Sequence, residues 1–303
     1  LKGIRFLTGD LMQAPDLGSF DYIDCCGVLH HLPEPVEGFK ALASALGEEG
    51  GLGFMVYAPY GRSGVYPLQE AFATLLAGLP PAERLTEARR IFQDLPQGHP
   101  FRRNNNLVDH QQSDAGFFDL LLHSQDQAFS IRRLCETLDA AGLEPAGFVE
   151  PARYDPGRFG VAPDALDPLS RMDVAEKLDG TIKTHIGYAV RKGRHVEPAS
   201  GKSENSIPHL KGIPARGLAN AVAKDGGVDL TLGNEKVRLN LSKAAAPIIA
   251  RIDGRTSLGQ IRAATSLDPI AFGTVWGPAS RVLTAWGQLW YSTLLLDPTS
   301  GKT

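Results

Sequence analysis

Apolar residues near the start of the chain gather in short unbroken runs. Residues 22–26 and 51–57 are two such runs of strand length, and 4–8 is a third candidate. Runs without alternation suit parallel strands covered by helices on both faces. Between the first two, Val36, Phe39, Ala43 and Leu46 recur at helical spacing, which predicts a helix over 36–46. Pro33-Glu34-Pro35 opens that helix, because proline in a first turn lacks only a hydrogen that has no partner there. Gly47 is the expected C-terminal cap. Strand, helix and strand in this order predict an α/β sheet.

Further along, apolar spacing predicts helices over 68–78 and 82–94, then a polar, helix-poor loop at 98–106. Ser130 caps a helix over 131–141 that Gly142 ends, and a strand over 143–149 follows. A helix is expected over 164–178, and alternation over 184–191 marks a last, antiparallel strand. Residues 193–207 are polar and without periodicity, as in a linker. Beyond it, apolar alternation on either side of Gly233-Asn234 reads as a hairpin. Helices over 243–252, 257–264 and 269–286 follow, then a strand from Leu289. The expected boundaries are 1–193 for an α/β domain, 194–207 for the linker and 208–303 for a small winged-helix-like α+β domain.

Composition narrows the class. The 303 residues are 43% hydrophobic and 21% charged, with a net charge of −3, so no basic surface points to nucleic acid or an anionic membrane. The helix over 269–286 carries one base, Arg281, and is expected to expose Trp276 and Trp286, which suits packing or protein contact rather than DNA. Three cysteines, Cys25, Cys26 and Cys135, read as reduced thiols of a cytoplasmic protein. No apolar run reaches the ~20 residues of a membrane span.

Candidate chemistry lies at the ends of the strands, where ligands sit in open α/β sheets. Asp10 follows Gly9 and is either a ligand contact or a turn residue bonding its own backbone. Gly27 permits a backbone angle or close approach that other residues resist. His30 and His31 have three readings: general bases, pocket-lining residues, or metal ligands. The last is disfavoured, because adjacent histidines diverge and no partner motif lies nearby, so no metal is expected. After the strand at 51–57 come Tyr57, Tyr60, Arg62 and Tyr66. The tyrosines could wall an acceptor pocket, and Arg62 either pairs with a substrate anion or sits in a structural ion pair. Asp119 and His123 are four apart and share a face if helical, as a catalytic pair or an ordinary local one, with Asp126 close by.

Gly9-Asp10-Leu11, Phe20-Asp21-Tyr22-Ile23 with Val28-Leu29-His30-His31-Leu32, and Leu46-Gly47 with Gly50-Gly51 stand in a recognisable order. The chain resembles the second half of a class I S-adenosylmethionine-dependent methyltransferase. The resemblance implies a partial Rossmann-like sheet whose first two strands precede residue 1. It implies that Asp10 accepts a hydrogen bond from the adenine amino group, that the Leu11 amide meets the ring, and that Gly27 and Val28 touch the cofactor. No Gly-x-Gly-x-x-Gly occurs in the sequence to hold the methionine part.

The resulting expectation is methyl transfer from S-adenosylmethionine to an oxygen, nitrogen or carbon acceptor on a small molecule or a protein side chain. His31, His123 and Asp119 are its catalytic candidates. Tyr57, Arg62 and Tyr66 face the acceptor. The alternative is a non-catalytic scaffold. Residues 252–261 are similar to a short signature of the winged-helix peptide chaperones of pyrroloquinoline quinone biosynthesis, which implies a peptide or protein partner at the C-terminal domain.

Overall fold

The computed structural model describes residues 3–160, 165–194, 196–232 and 235–293. Two compact units divide the chain: Leu1–Phe148 with Arg153–Arg194, and Val149–Ala152 with His195–Thr303.

The first unit is built on a four-stranded sheet of β1 (Phe20–Cys26), β2 (Leu46–Tyr57), β3 (Leu143–Phe148) and β4 (Thr184–Arg191), in the order β1-β2-β4-β3. β1 runs parallel to β2, and β4 is antiparallel to both β2 and β3. A parallel pair needs a crossover, and α1 (Pro35–Ala45) supplies it. Phe39 of α1 packs on one sheet face with Phe54, Phe148, Leu134 and Leu138, and that face is dry.

The opposite face carries Tyr22, Asp24 and Cys26 of β1 in register with Gly51, Gly53 and Met55 of β2, of which Gly53 and Met55 pair in turn with Tyr188 and Ile186 of β4. This face is largely open, and Tyr22 is 55% exposed.

Three expectations change here. Residues 4–8 form no strand, and Phe6 is 86% exposed. Apolar content alone does not make a strand without a neighbour to hydrogen-bond, and among the described residues none pairs with the outer edge of β1. Gly47 does not cap α1, since the chain passes from helix into β2 at Leu46. Instead the register jumps from Phe20↔Leu46 to Tyr22↔Gly51, and a side chain at Gly50 would come 2.8 Å from the Phe20 carbonyl oxygen. The glycines therefore serve a bulge. The polar stretch at 98–106 contains one helical turn whose Phe101 is buried.

Between β2 and β3 lie α2 (Val65–Leu75), α3 (Pro81–Gln93), α4 (Pro100–Arg103), α5 (Asp109–Gln112), α6 (Asp114–Leu122) and α7 (Ile131–Ala140). The α2–α6 segment has its own core of Val65, Leu68, Phe72, Phe101, Phe117 and Leu120–Leu122. Ser130 caps α7 as expected, accepting from the Arg133 amide at 3.2 Å. α8 (Pro168–Asp179) packs on α7, and the expected start at 164 lies outside the described residues.

A buried polar knot ties these elements, and no short-range pattern announced it. His185 of β4 meets the Tyr154 hydroxyl at 2.8 Å through Nδ1 and the Phe129 carbonyl at 2.9 Å through Nε2. Glu176 of α8 accepts from the Ile131 amide at 2.9 Å. Its other oxygen lies 3.1 Å from His185 Nε2, but the hydrogen there is directed at Phe129.

In the second unit β5 (Ile207–Leu210) pairs antiparallel with β8 (Leu289–Ser292). Between them lie α9 (Ala215–Asp225), the hairpin of β6 (Gly227–Leu232) and β7 (Glu235–Asn240), α10 (Ala246–Ile249), α11 (Leu258–Thr265) and α12 (Pro269–Ala285). The hairpin's turn, Gly233-Asn234, lies outside the described residues. The end of the expected linker is built into this unit: the Leu258 amide donates to Ser206 at 2.9 Å, and Arg262 pairs with Glu204 at 3.0 Å. Trp276 is not exposed as expected but 1% exposed, because it shares a helix face with Phe272, Ala279 and Leu283. In the 252–261 signature, Asp253 accepts from the Arg255 and Thr256 amides at 2.9 and 2.7 Å, while Ile252 and Ile261 enter the core. The signature thus serves the turn into α11.

Candidate functional site

β1 and β2 end side by side, and the chain leaves each in a different way. After Cys26, Gly27 takes φ +78°, a left-handed angle that costs other residues about 1 kcal/mol or more. Val28 then stands partly in solvent, and a short 3-10 turn, Leu29–His31, follows. Leu29 and His30 point inward and are fully buried.

The return segment after α6 crosses both strand ends. The Gln127 amide donates to the His30 carbonyl at 2.9 Å and the Phe129 amide to the Tyr57 carbonyl at 2.8 Å. Gln127 Nε2 also reaches the Leu32 and Pro33 carbonyls, at 3.2 and 3.1 Å. This stitching sets residues 123–126 beside His31 and Tyr57.

An outer cluster results. The His31 and His123 rings stack with centroids 3.9 Å apart. His31 Nε2 lies 4.0 Å from Asp119 Oδ1, and the Tyr57 hydroxyl donates to Asp119 Oδ2 at 3.2 Å. One peptide sets both imidazoles. His31 Nδ1 meets the Gln125 carbonyl at 2.9 Å, and the Gln125 amide donates to His123 Nδ1 at 3.1 Å. A carbonyl only accepts, so the neutral His31 carries its hydrogen on Nδ1 and leaves the Nε2 lone pair toward Asp119. His123, an acceptor at Nδ1, carries its hydrogen on Nε2.

Behind this cluster lies a buried layer. The Tyr57 ring is held between the Arg62 guanidinium, 3.6 Å from its centroid, and the His30 ring, 3.8 Å away. Arg62 is 3% exposed, and it donates through Nε to Tyr66 at 3.0 Å and through Nη2 to Asp126 at 2.9 Å. Gln69 of α2 joins the same Asp126 oxygen at 2.9 Å. The other Asp126 oxygen and both nitrogens of His30 are buried with no hydrogen-bond partner among the described residues.

Burial pushes the His30 imidazole down to about 3, helped by His31, Arg62 and His123, so it is neutral at physiological pH. Burial likewise pushes the Tyr57 and Tyr66 hydroxyls up to about 12, against the pull of Arg62. Both stay protonated.

His31, Asp119, His123, Tyr57, Arg62 and Tyr66 are thus gathered from segments far apart in sequence. Arg62 departs from its expected place at the acceptor rim: its guanidinium is turned inward, because Asp126 and Tyr66 offer it directed partners inside. His123 lies just past the end of α6, with extended backbone, rather than on the helix. Leu120, Leu121 and Leu122 pack into the helical core. Gln69 and the Gln125 peptide carry no local signal, since Gln69 lies 57 positions from Asp126.

On the other rim, Asp10 is exposed, and its Oδ1 accepts from the Met12 amide at 3.0 Å. It caps the turn that begins at Leu11, whose side chain lies against α1 near Gly38. All three cysteines are free thiols, and no described helix is long and apolar enough to cross a membrane.

No family model matches the chain. An uncharacterized protein of Synechococcus sp. is 33% identical over 216 residues, which is 67% of this chain and 51% of that protein. The chain thus spans about half the length of that curated relative. PKMT2 from Rickettsia typhi in complex with AdoHcy aligns at 13% identity with a TM-score of 0.59, covering 91% of this chain and 59% of PKMT2. A second PKMT2 structure aligns at 14% identity with the same TM-score of 0.59, over 91% and 58%. The fold is methyltransferase-like: a central mixed sheet with helices, as the sequence led us to expect.

Proposed function

We propose that this chain belongs to an enzyme that moves a methyl group from S-adenosylmethionine to an oxygen, nitrogen or carbon acceptor. Asp10, Leu11, Gly27 and Val28 would hold the adenosine end. His31, Asp119, His123 and Tyr57 would face the acceptor, with Arg62 and Tyr66 fixing Tyr57 from behind. The observation that carries this reading is the cluster of His31, Asp119 and Tyr57 at the ends of β1 and β2, where such folds bind ligands, with Leu11 packed beside the Leu29 and Leu32 side chains at Gly38. The AdoHcy held by PKMT2 supports it.

The cofactor supplies an electrophilic methyl, so the protein's work is alignment and removal of any acceptor proton. His31 suits the second task. Its Nε2 lone pair is directed outward by the Gln125 carbonyl, and Asp119 steadies the imidazolium that forms.

Isothermal titration of the intact gene product with S-adenosylhomocysteine tests the reading. We expect saturable binding that Asp10→Ala weakens at least about tenfold, one charge-assisted hydrogen bond's worth. Absence of binding, or identical affinity in the variant, would return the chain to the scaffold alternative.

For the second unit we propose a winged-helix-like module that holds a peptide or protein partner. The β6–β7 hairpin beside α9–α12 supports it, as does Ile270, which stands in solvent at the start of α12. A photo-crosslinker at position 270 that labels no peptide or protein would remove this part.

A further inference from the structure

His31 Nε2 and Asp119 Oδ1 present a problem in charge. In the neutral ring both are acceptors, because the Gln125 carbonyl sets the single His31 hydrogen on Nδ1. They face each other across 4.0 Å, too far for a hydrogen bond. Two lone-pair donors aimed at one gap are the arrangement a cation bridges. His123 lies beside them, and one ligand atom from each of the three residues lies within 4.8 Å of the others.

We propose that His31, Asp119 and His123 form a binding site for a borderline divalent transition cation of the Zn2+ class. Two imidazoles and a carboxylate are a donor set this class accepts, and three protein ligands leave a fourth position open. The surrounding bonds suit the assignment. Metal-binding histidines commonly donate their second nitrogen to a carbonyl, as His31 does to Gln125, and ligating carboxylates are commonly hydrogen-bonded, as Asp119 is by Tyr57.

Tetrahedral coordination sets ligand atoms about 3.4 Å apart, given bonds of about 2.0–2.1 Å. Asp119 can close the gap, since its side chain is 52% exposed and held only through Oδ2. His123 joins less readily, because its Nδ1 lone pair is taken by the Gln125 amide and its Nε2 carries the hydrogen. It is therefore the weakest of the three ligands. An ion bound there takes the His31 Nε2 lone pair, so His31 acts as a base only in the ion-free protein; the ion site itself does not rest on the function proposed above.

The test is equilibrium binding of Zn2+ to the chelator-stripped intact protein near pH 7.5, with Co2+ as a spectroscopic stand-in. We expect a single ion per chain and an intense visible Co2+ band of four-coordinate type. Asp119→Asn should weaken Zn2+ at least about tenfold and bleach the band. His123→Ala should weaken it by less, and His209→Ala in the second unit should leave it unchanged. No stoichiometric Zn2+ binding, or equal affinity in Asp119→Asn, overturns the proposal. If a variant fails to fold, the wild-type Co2+ spectrum decides: a weak six-coordinate band also overturns it. S-adenosylhomocysteine titration of the same samples separates the outcomes, because loss of the ion with nucleoside binding intact removes only this inference.

Discussion

The two rims of the strand-end crevice are made by opposite means. Asp10, Leu11, Gly27 and Val28 belong to short turns next to their own strand or segment, and Asp10 accepts from amides two and three residues away. The other rim draws on residues 30–31, 57, 62–69 and 119–127, interlocked by an ion pair, a ring sandwich and backbone bonds that span some 60 to 100 positions. The first rim can be altered residue by residue. The second should respond as a unit, because the Arg62–Asp126 pair behind it is buried and its side chains hold one another in place.

That contrast can be broken most sharply at Arg62. Arg62→Met leaves Asp126 buried and unpaired, and should cost about 3–5 kcal/mol in urea unfolding. A cost below about 1 kcal/mol would mean that the pair is not structural.

The next effect is on pH. His30 is held near 3 in the folded protein against 6.5 ordinarily. Between those values the unfolded chain binds the proton and the folded one does not, so stability falls as pH drops from about 6.5 toward 3. This group alone sets a slope of up to about 1.4 kcal/mol per pH unit. His30→Phe, similar in shape and unable to titrate, should flatten the thermal-melting profile in that window, and an unchanged slope would assign it elsewhere.

Tyr57→Phe should be milder. It removes one hydrogen bond to a half-exposed carboxylate, about 1 kcal/mol at most, while leaving the ring between His30 and Arg62. The smallest effect belongs to the other rim, where Asp10→Ala loses one exposed turn cap and should shift unfolding by no more than about 1 kcal/mol. Equal costs at Asp10 and Arg62 would erase the distinction.

Legibility follows the same line. β1, β2, α1, β4 and the caps Ser130 and Gly142 were readable because period and punctuation are local properties. α9 went unread although Pro214 and Gly226, with φ +67°, bracket it, because Leu218, Ala219 and Val222 make only a thin apolar stripe. Trp276 was misplaced because periodicity shows that a helix has faces, not which face meets the core. In the site, Asp119 and His123 were readable as neighbours and His31 as a strand-end residue. Their meeting depends on the return segment lying across β1 and β2, a tertiary fact with no short-range signature. For Arg62 the sequence left a substrate anion and a structural ion pair both open, because the partner that decides for the ion pair, Asp126, sits 64 positions away.

The Gln125 peptide group carries one last implication. Its two ends dictate where the protons of two imidazoles reside, so this control is written in main chain rather than in any side chain. Only proline at position 125 would delete the donor while keeping the acceptor, freeing His123 and sparing His31. Drift in the identity of residue 125 among kindred sequences would therefore leave the arrangement untouched, and a search for invariant side chains would pass over the part that governs it.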